Sequence, residues 1–242
     1  TKGEPQYTPE NLGLDFEDLM LESGSEKINA WFIPAKANKG TVFFCHGNAG
    51  NLGHRLSTIK IWHELGMNIL LFDYRGFGKS SGSPSEEGCY EDAKACFKWL
   101  GKNNKLTKPF IIHGRSLGGG VASWAANNFE CDALILESTF TSVPDMGAHY
   151  YPFLPISLIS CIHFPTEERL KNFKKPLLII HGEKDEIIPY FMGRKMADQT
   201  KADFLDLTGR HNSGFELSPN YIPTLQGFVN KLSLPKPLVD TP

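Results

Sequence analysis

Residues 111–122 read IIHGRSLGGGVA, an apolar run that breaks into glycines packed around a single serine, Ser116. A side chain at position 114 or 118 would sit where a strand turns sharply into a helix, and both positions are glycine. The pentapeptide Gly114–Gly118 fits G-x-S-x-G. Its flanks are the ones a nucleophile elbow requires, a buried strand before it and a helix of small residues (Val121–Ala126) after it. Such a turn lifts a hydroxyl to the top of a sheet. It also places the Leu117 N–H at a helix N-terminus, where it can donate to an oxyanion. A plain tight turn is the alternative reading, and the rest of the chain decides between them.

The surrounding pattern is that of an α/β protein. Short apolar segments at 15–22, 28–33, 41–45, 68–72, 110–112, 133–136, 177–180 and 204–207 read as strands. Several of them, such as TVFFC and LLII, are apolar throughout and therefore covered on both faces. Helical spacing appears over 56–65, over 84–100 (Tyr90, Ala93, Phe97, Leu100) and over 221–232. Alternation of this kind implies parallel crossovers. No helix separates the first two strands, which predicts an antiparallel hairpin at one edge. The whole of 1–242 reads as one domain, with extended termini at 1–12 and 233–242. Residues 143–170, containing YYPFLPISLISCIHFP, depart from the rhythm. They read as a small cap over the strand ends, with a core helix pair as the alternative.

Bulk properties exclude several classes. The 242 residues carry a formal net charge of −2 with no basic stripe, which excludes nucleic acid as an expected partner. No apolar run reaches membrane-spanning length and no signal peptide is visible. The five cysteines show no metal-ligand spacing, which predicts free buried thiols in a reducing, cytoplasmic compartment. No metal and no cofactor is expected.

A serine nucleophile needs a base, and the base needs an orienting acid. Of the eight histidines, only His181 and His211 follow the cap segment. His211 stands in LTGRHNSG, a polar loop after the last strand, and is the preferred base. His181 closes the LLII strand and is expected to pack beneath the following loop. The segment HGEKDEIIP offers Glu183, Asp185 and Glu186 as the acid, of which Asp185 is preferred; Asp206 and Asp145 are rivals, the latter explained by a capping box with Ser142. The loop His46–Asn51 after TVFFC should supply a second oxyanion donor, the Asn48 N–H. It lacks the G-K-[ST] that would make it a phosphate loop. His46 reads as structural and Arg75 as an internal ion-pair partner. Phe140, Phe153, Leu154 and Ile187 are the candidate substrate contacts.

Taken in order, HGNAGNLGHRL, DYRGFGKSSGSPSEEG, GRSLGGG, ESTFTS and IIHGEKDEIIP closely resemble the α/β-hydrolase superfamily. The likeness is to the serine-hydrolase branch of α/β-hydrolase domain-containing proteins, related to depalmitoylases and serine-aminopeptidase-like hydrolases. The resemblance covers about residues 10–230. It implies a mostly parallel sheet of about eight strands with helices on both faces and a small cap. It also implies a Ser116–Asp185–His211 triad and an oxyanion hole from the N–H groups of Asn48 and Leu117. Members often carry a hydrophobic anchor ahead of a stretch like Thr8–Leu14. A start at Thr1 is consistent with removal of such an anchor, which would put the protein at the cytoplasmic side of a membrane. Where members have Gly-His-Asn-Asp around the base, this chain has Arg210-His211-Asn212-Ser213. The implied activity is hydrolysis of esters or thioesters of small-molecule or acylated substrates. An amidase or peptidase using the same residues, and a binding protein on a hydrolase fold, are the alternatives.

Overall fold

The computed structural model describes residues 2–233. Eight strands form one sheet: β1 (Glu17–Ser23), β2 (Glu26–Ile33), β3 (Thr41–Cys45), β4 (Asn68–Phe72), β5 (Phe110–Arg115), β6 (Ala133–Glu137), β7 (Leu177–Gly182) and β8 (Asp203–Leu207). Their order is β1-β2-β4-β3-β5-β6-β7-β8. The apolar runs β3, β4, β6 and β7 are buried along their whole length. The mixed sequences of β1 and β8 lie at the two edges, where one side of each strand meets water. β1 and β2 form the predicted antiparallel hairpin, closed by Gly24 at φ +62° and Ser25, and β2 also runs antiparallel to β4. All pairings from β4 through β3 to β8 are parallel.

Strand alternation divides the core into two layers. Phe32, Phe43, Leu70, Phe72, Ile112, Leu134 and Ile179 face α2 (Glu86–Lys102), α3 (Leu117–Asn128) and α7 (Tyr190–Thr200). Trp31, Phe44, Ile69, Leu71, Ile111 and Ile180 face Ile59 and Trp62 of α1 (Leu56–Glu64) and Leu225, Phe228 and Val229 of α9 (Tyr221–Ser233). Each fully buried aromatic or aliphatic side chain is worth about 1.5–3 kcal/mol. Helix α2 begins at Glu86 rather than at Pro84, because the Ser85 side chain accepts the Gly88 N–H and caps it.

At the amino end, Pro9–Leu12 forms a 3-10 turn, so 1–12 is not wholly extended. Thr8 and Asn11 bond reciprocally across the turn, and Leu12 packs on the α1/α9 layer. The expected extended tail from 233 onward lies, past Ser233, outside the described residues.

Residues 143–170 form α4 (Val143–Tyr150), α5 (Ile156–Ile159) and α6 (Thr166–Leu170), inserted between β6 and β7. The end of the excursion is pinned: Glu86 accepts the N–H groups of His163 (2.6 Å) and Phe164 (2.9 Å), and Phe164 is buried. The middle stands out in solvent, with Phe153 78% and Leu158 84% exposed. Four of the cysteines are free and buried; Cys161, on this excursion, is free but exposed.

Candidate active site

Ser116, Asp185, His211 and the Asn48 loop lie beyond the carboxyl ends of β5, β7, β8 and β3, the edge at which parallel sheets hold ligands. β5 runs straight into Ser116, whose backbone sits at φ 54°, ψ −123°. A non-glycine residue in that region costs on the order of 1–3 kcal/mol and persists only when neighbours hold it. Three hydrogen bonds do so: Ser116 N–H donates to Glu137 O (2.9 Å), and Thr139 Oγ1 (2.7 Å) and Gly119 N–H (2.9 Å) donate to Ser116 O. The flanking glycines are steric necessities. A Cβ on Gly118 would fall onto the Cys45 carbonyl, and one on Gly114 onto Ala122 and the Gly118 carbonyl.

The structure brings Ser116, His211 and Asp185 into one hydrogen-bonded chain. His211 Nε2 lies 3.1 Å from Ser116 Oγ, and Nδ1 lies 2.8 Å from Asp185 Oδ2. A carboxylate can only accept, so the ring proton sits on Nδ1 and the Nε2 lone pair faces the serine hydroxyl. Asp185 Oδ1 accepts the N–H groups of Ile187 (2.9 Å) and Ile188 (2.8 Å). Burial pushes the Asp185 carboxyl up, but hydrogen bonds from His181, His211 and Ile188 outweigh it and hold the group well below the usual carboxylate range. The rivals are elsewhere. Asp206 accepts from Tyr190, and Asp145 accepts from Thr141 at the start of α4, where its N–H is capped by Ser142.

Sequence reasoning placed His181 beneath the loop but missed its contact. His181 Nε2 is 3.0 Å from Ile188 O and 3.4 Å from Asp185 Oδ2, so the acid is gripped by two imidazoles. A second buried network was missed altogether. Trp62 Nε1 donates to His113 Nδ1 (3.2 Å), which puts the neutral ring's proton on Nε2, 3.2 Å from Glu137 Oε2. Tyr221 donates to the same oxygen (2.6 Å), and Arg115 Nε lies 3.3 Å from Oε1. Burial raises the Glu137 pKa, but Arg115, His113 and Tyr221 outweigh it and bring it to about 2. Arg115 in turn donates to His211 O (2.8 Å), so this network fixes the loop that bears the histidine.

The loop after β3 is built from below. His46 is wholly buried with Nε2 3.2 Å from Asp73 Oδ1, and Tyr74 donates to its carbonyl (2.8 Å). Arg75 pairs with Asp92 (2.9 Å) away from the site. Asn48 lines a cavity of about 380 Å³ together with Gly47, Arg55, Arg115, Ser116, Ile187 and His211. Among the described residues the N–H groups of Asn48 and Leu117 make no hydrogen bond within the protein. A larger cavity of about 510 Å³ lies at the opposite edge, at the amino ends of β7 and β8, and is lined by no serine, cysteine or histidine among the described residues.

The structure separates the four expected substrate contacts. Ile187 lines the cavity, but Phe140, Phe153 and Leu154 do not. Phe140 is only 6% exposed and packs in the α2/α3 layer of the core, whereas Phe153 and Leu154 project from the outer part of the excursion. The excursion touches the site through Tyr150, whose hydroxyl donates to Ile187 O (2.9 Å). Arg210, beside the histidine, is exposed. No helix among the described residues is long and apolar enough to cross a membrane.

Comparison with known proteins agrees with this architecture. An uncharacterized protein of Mycobacterium tuberculosis is 36% identical over 183 residues, 74% of this chain and 65% of its own length. The lysophosphatidylserine lipase ABHD12 of Mus musculus is 38% identical over 192 residues, 70% of this chain and 48% of its own. The chain thus spans about half to two thirds of the length of these relatives. Among solved structures, an esterase of Pyrococcus furiosus superposes with a TM-score of 0.80 over 97% of both chains at 22% identity, a likeness of fold. Residues 36–161, more than half of the chain, match the family described as serine aminopeptidase, S33. The chain belongs to this family of α/β-hydrolases.

Proposed function

We propose that the protein is a serine hydrolase that cleaves carboxylic esters, thioesters included, through an acyl-enzyme. Ser116 Oγ attacks the carbonyl carbon while His211 Nε2 takes its proton. The N–H groups of Asn48 and Leu117 stabilise the oxyanion of the tetrahedral intermediate. His211 then returns the proton to the leaving group, and water, activated by the same nitrogen, releases the acid. Asp185 keeps the imidazole in the Nδ1–H tautomer and stabilises the imidazolium. The observation that carries this reading is the unbroken Asp185–His211–Ser116 chain at 2.8 and 3.1 Å, set on a strained elbow.

The family description raises an aminopeptidase as the second reading. An exopeptidase of that kind needs an anion to hold the substrate's α-ammonium group. The described residues that line the cavity include Arg55 and Arg115 and no carboxylate, which favours the ester reading. A fluorophosphonate probe tests the mechanism: labelling of wild type and none of Ser116→Ala is expected. Turnover of p-nitrophenyl acetate but not of an aminoacyl anilide is the expected specificity. Failure to label wild-type protein would leave a binding protein on a hydrolase fold.

A further inference from the structure

The cavity beside Ser116 is unusual in its charge. It is lined by two guanidinium groups and by no carboxylate among the described residues. Arg115 has a counter-ion, Glu137, and is further held by the His211 carbonyl and by the face of Phe215, 4.8 Å from its guanidinium carbon. Arg55 has no carboxylate within ion-pairing distance among the described residues. One of its terminal nitrogens donates to the carbonyls of Gly47 (3.3 Å) and Ala49, while its Nε is buried without any partner. Asp73, a buried acid whose charge reaches Arg55 without pairing with it, is engaged by His46 and the Leu52 N–H. Glu186, at the rim, is engaged by the His211 N–H (3.2 Å). Burial first, and then the charge of Arg115, lowers the Arg55 pKa, and the opposing influence of Tyr74 and Asp73 does not cancel them.

A clamp on the 47–49 loop accounts for the two carbonyl bonds alone. It does not account for a half-buried guanidinium placed in a cavity, without a paired carboxylate among the described residues, next to a second guanidinium, since desolvating a charge without a partner is destabilising. An anion entering the cavity would relieve both costs. A phosphate or carboxylate also matches the planar fork of arginine with two parallel hydrogen bonds.

We propose that Arg55, assisted by Arg115, binds an anionic group carried by the ester that Ser116 cleaves. The substrate class is then anionic esters, either acyl esters of a phosphate-bearing alcohol or half-esters of a dicarboxylic acid. The inference rests on the ester-hydrolase reading above and adds a specificity-determining residue to it.

Two matched pairs test it by pH-stat: 1-butyrylglycerol 3-phosphate against 1-butyrylglycerol, and monoethyl adipate against ethyl hexanoate. In at least one pair kcat/KM should favour the anionic member by about tenfold, the worth of one hydrogen bond to a charged group. The pair that shows it identifies which half of the ester carries the anion. Arg55→Gln should abolish the preference and Arg55→Lys should keep part of it. Added salt should depress turnover of the anionic member only. Turnover of neutral esters with no preference in either pair would overturn the inference and leave the hydrolase reading standing. So would Arg55→Gln lowering both members of a pair by the same factor, the signature of a loop clamp. Absence of both turnover and fluorophosphonate labelling would sink the hydrolase reading and this inference with it.

Discussion

Replacing Asp185 by asparagine is the sharpest perturbation the site offers, because its two oxygens face different donors. Oδ1 accepts two backbone N–H groups at 2.8 and 2.9 Å, whereas Oδ2 meets the two imidazoles. An asparagine has one oxygen to share between these sides. If the oxygen keeps the Ile187 and Ile188 N–H groups, the amide NH₂ faces His211 and His181. Donation to His211 Nδ1 then moves the ring proton to Nε2, pointing it at Ser116 Oγ. If the amide flips, the correct tautomer survives, but the NH₂ confronts two backbone donors, and each lost hydrogen bond costs about 1–3 kcal/mol. The first orientation therefore wins, and it holds the base in its inactive tautomer. The expected fall in kcat is about 10⁴-fold. Initial rates with p-nitrophenyl acetate, set beside the thermal midpoint, separate this from unfolding. Asp206→Asn, which only loses the Tyr190 contact, is the control. Retention of more than about one per cent of wild-type kcat by a folded Asp185→Asn protein, or equal losses in the two variants, would refute the tautomer argument.

Three further outcomes follow from the same geometry. Ser116→Ala should lose on the order of a millionfold in kcat with its thermal midpoint nearly unchanged, since a half-buried hydroxyl with one side-chain hydrogen bond is removed from a strained turn; turnover above a few per cent would show another nucleophile. Gly118→Ala should abolish activity and destabilise the fold, because its Cβ lands on the Cys45 carbonyl, and a fully active variant would disprove the elbow geometry. For Glu137, the unfolded chain takes up the proton near pH 4.5 and the folded protein only near 2, so protonation favours unfolding and stability is lost as pH falls through that interval. Denaturant midpoints of wild type should therefore drop more steeply between pH 5 and pH 3 than those of Glu137→Gln, and parallel curves would show that Glu137 is not held ionised.

The parts legible in the sequence are those that depend on neighbours along the chain. Gly114, Ser116 and Gly118 define a turn within five residues, and continuous apolar runs such as Leu177–Ile180 announce buried strands. Asp185 and His211 followed from strand order plus polar loops. The hidden parts are assembled across the fold. Trp62, His113, Glu137 and Tyr221 come from four different elements, and no spacing links them until β5 and β6 lie side by side. The order β2-β4-β3 likewise depends on which crossover lies over which face, and local pattern does not encode that. The burial of Phe140 was hidden for a related reason: an aromatic residue just after β6 fits either a site wall or a core, and the packing of α3 places it in the core.

The histidine hangs from an edge strand. β8 pairs with β7 alone, is largely uncovered, and ends in a loop followed by the four-residue α8 (Gly214–Leu217). Ser116 springs from β5 in the middle of the sheet, buried on both faces. The reactive pair therefore joins a central and an edge strand of one sheet, through the 3.1 Å contact of the two side chains and the bond from Arg115 to the His211 carbonyl. Edge elements open by sub-global fluctuation at lower free energy than central ones. Warming should accordingly silence this protein by fraying at β8 while the strands around the serine still hold their hydrogen bonds. The temperature at which it stops working would then be a property of its margin, not of its core.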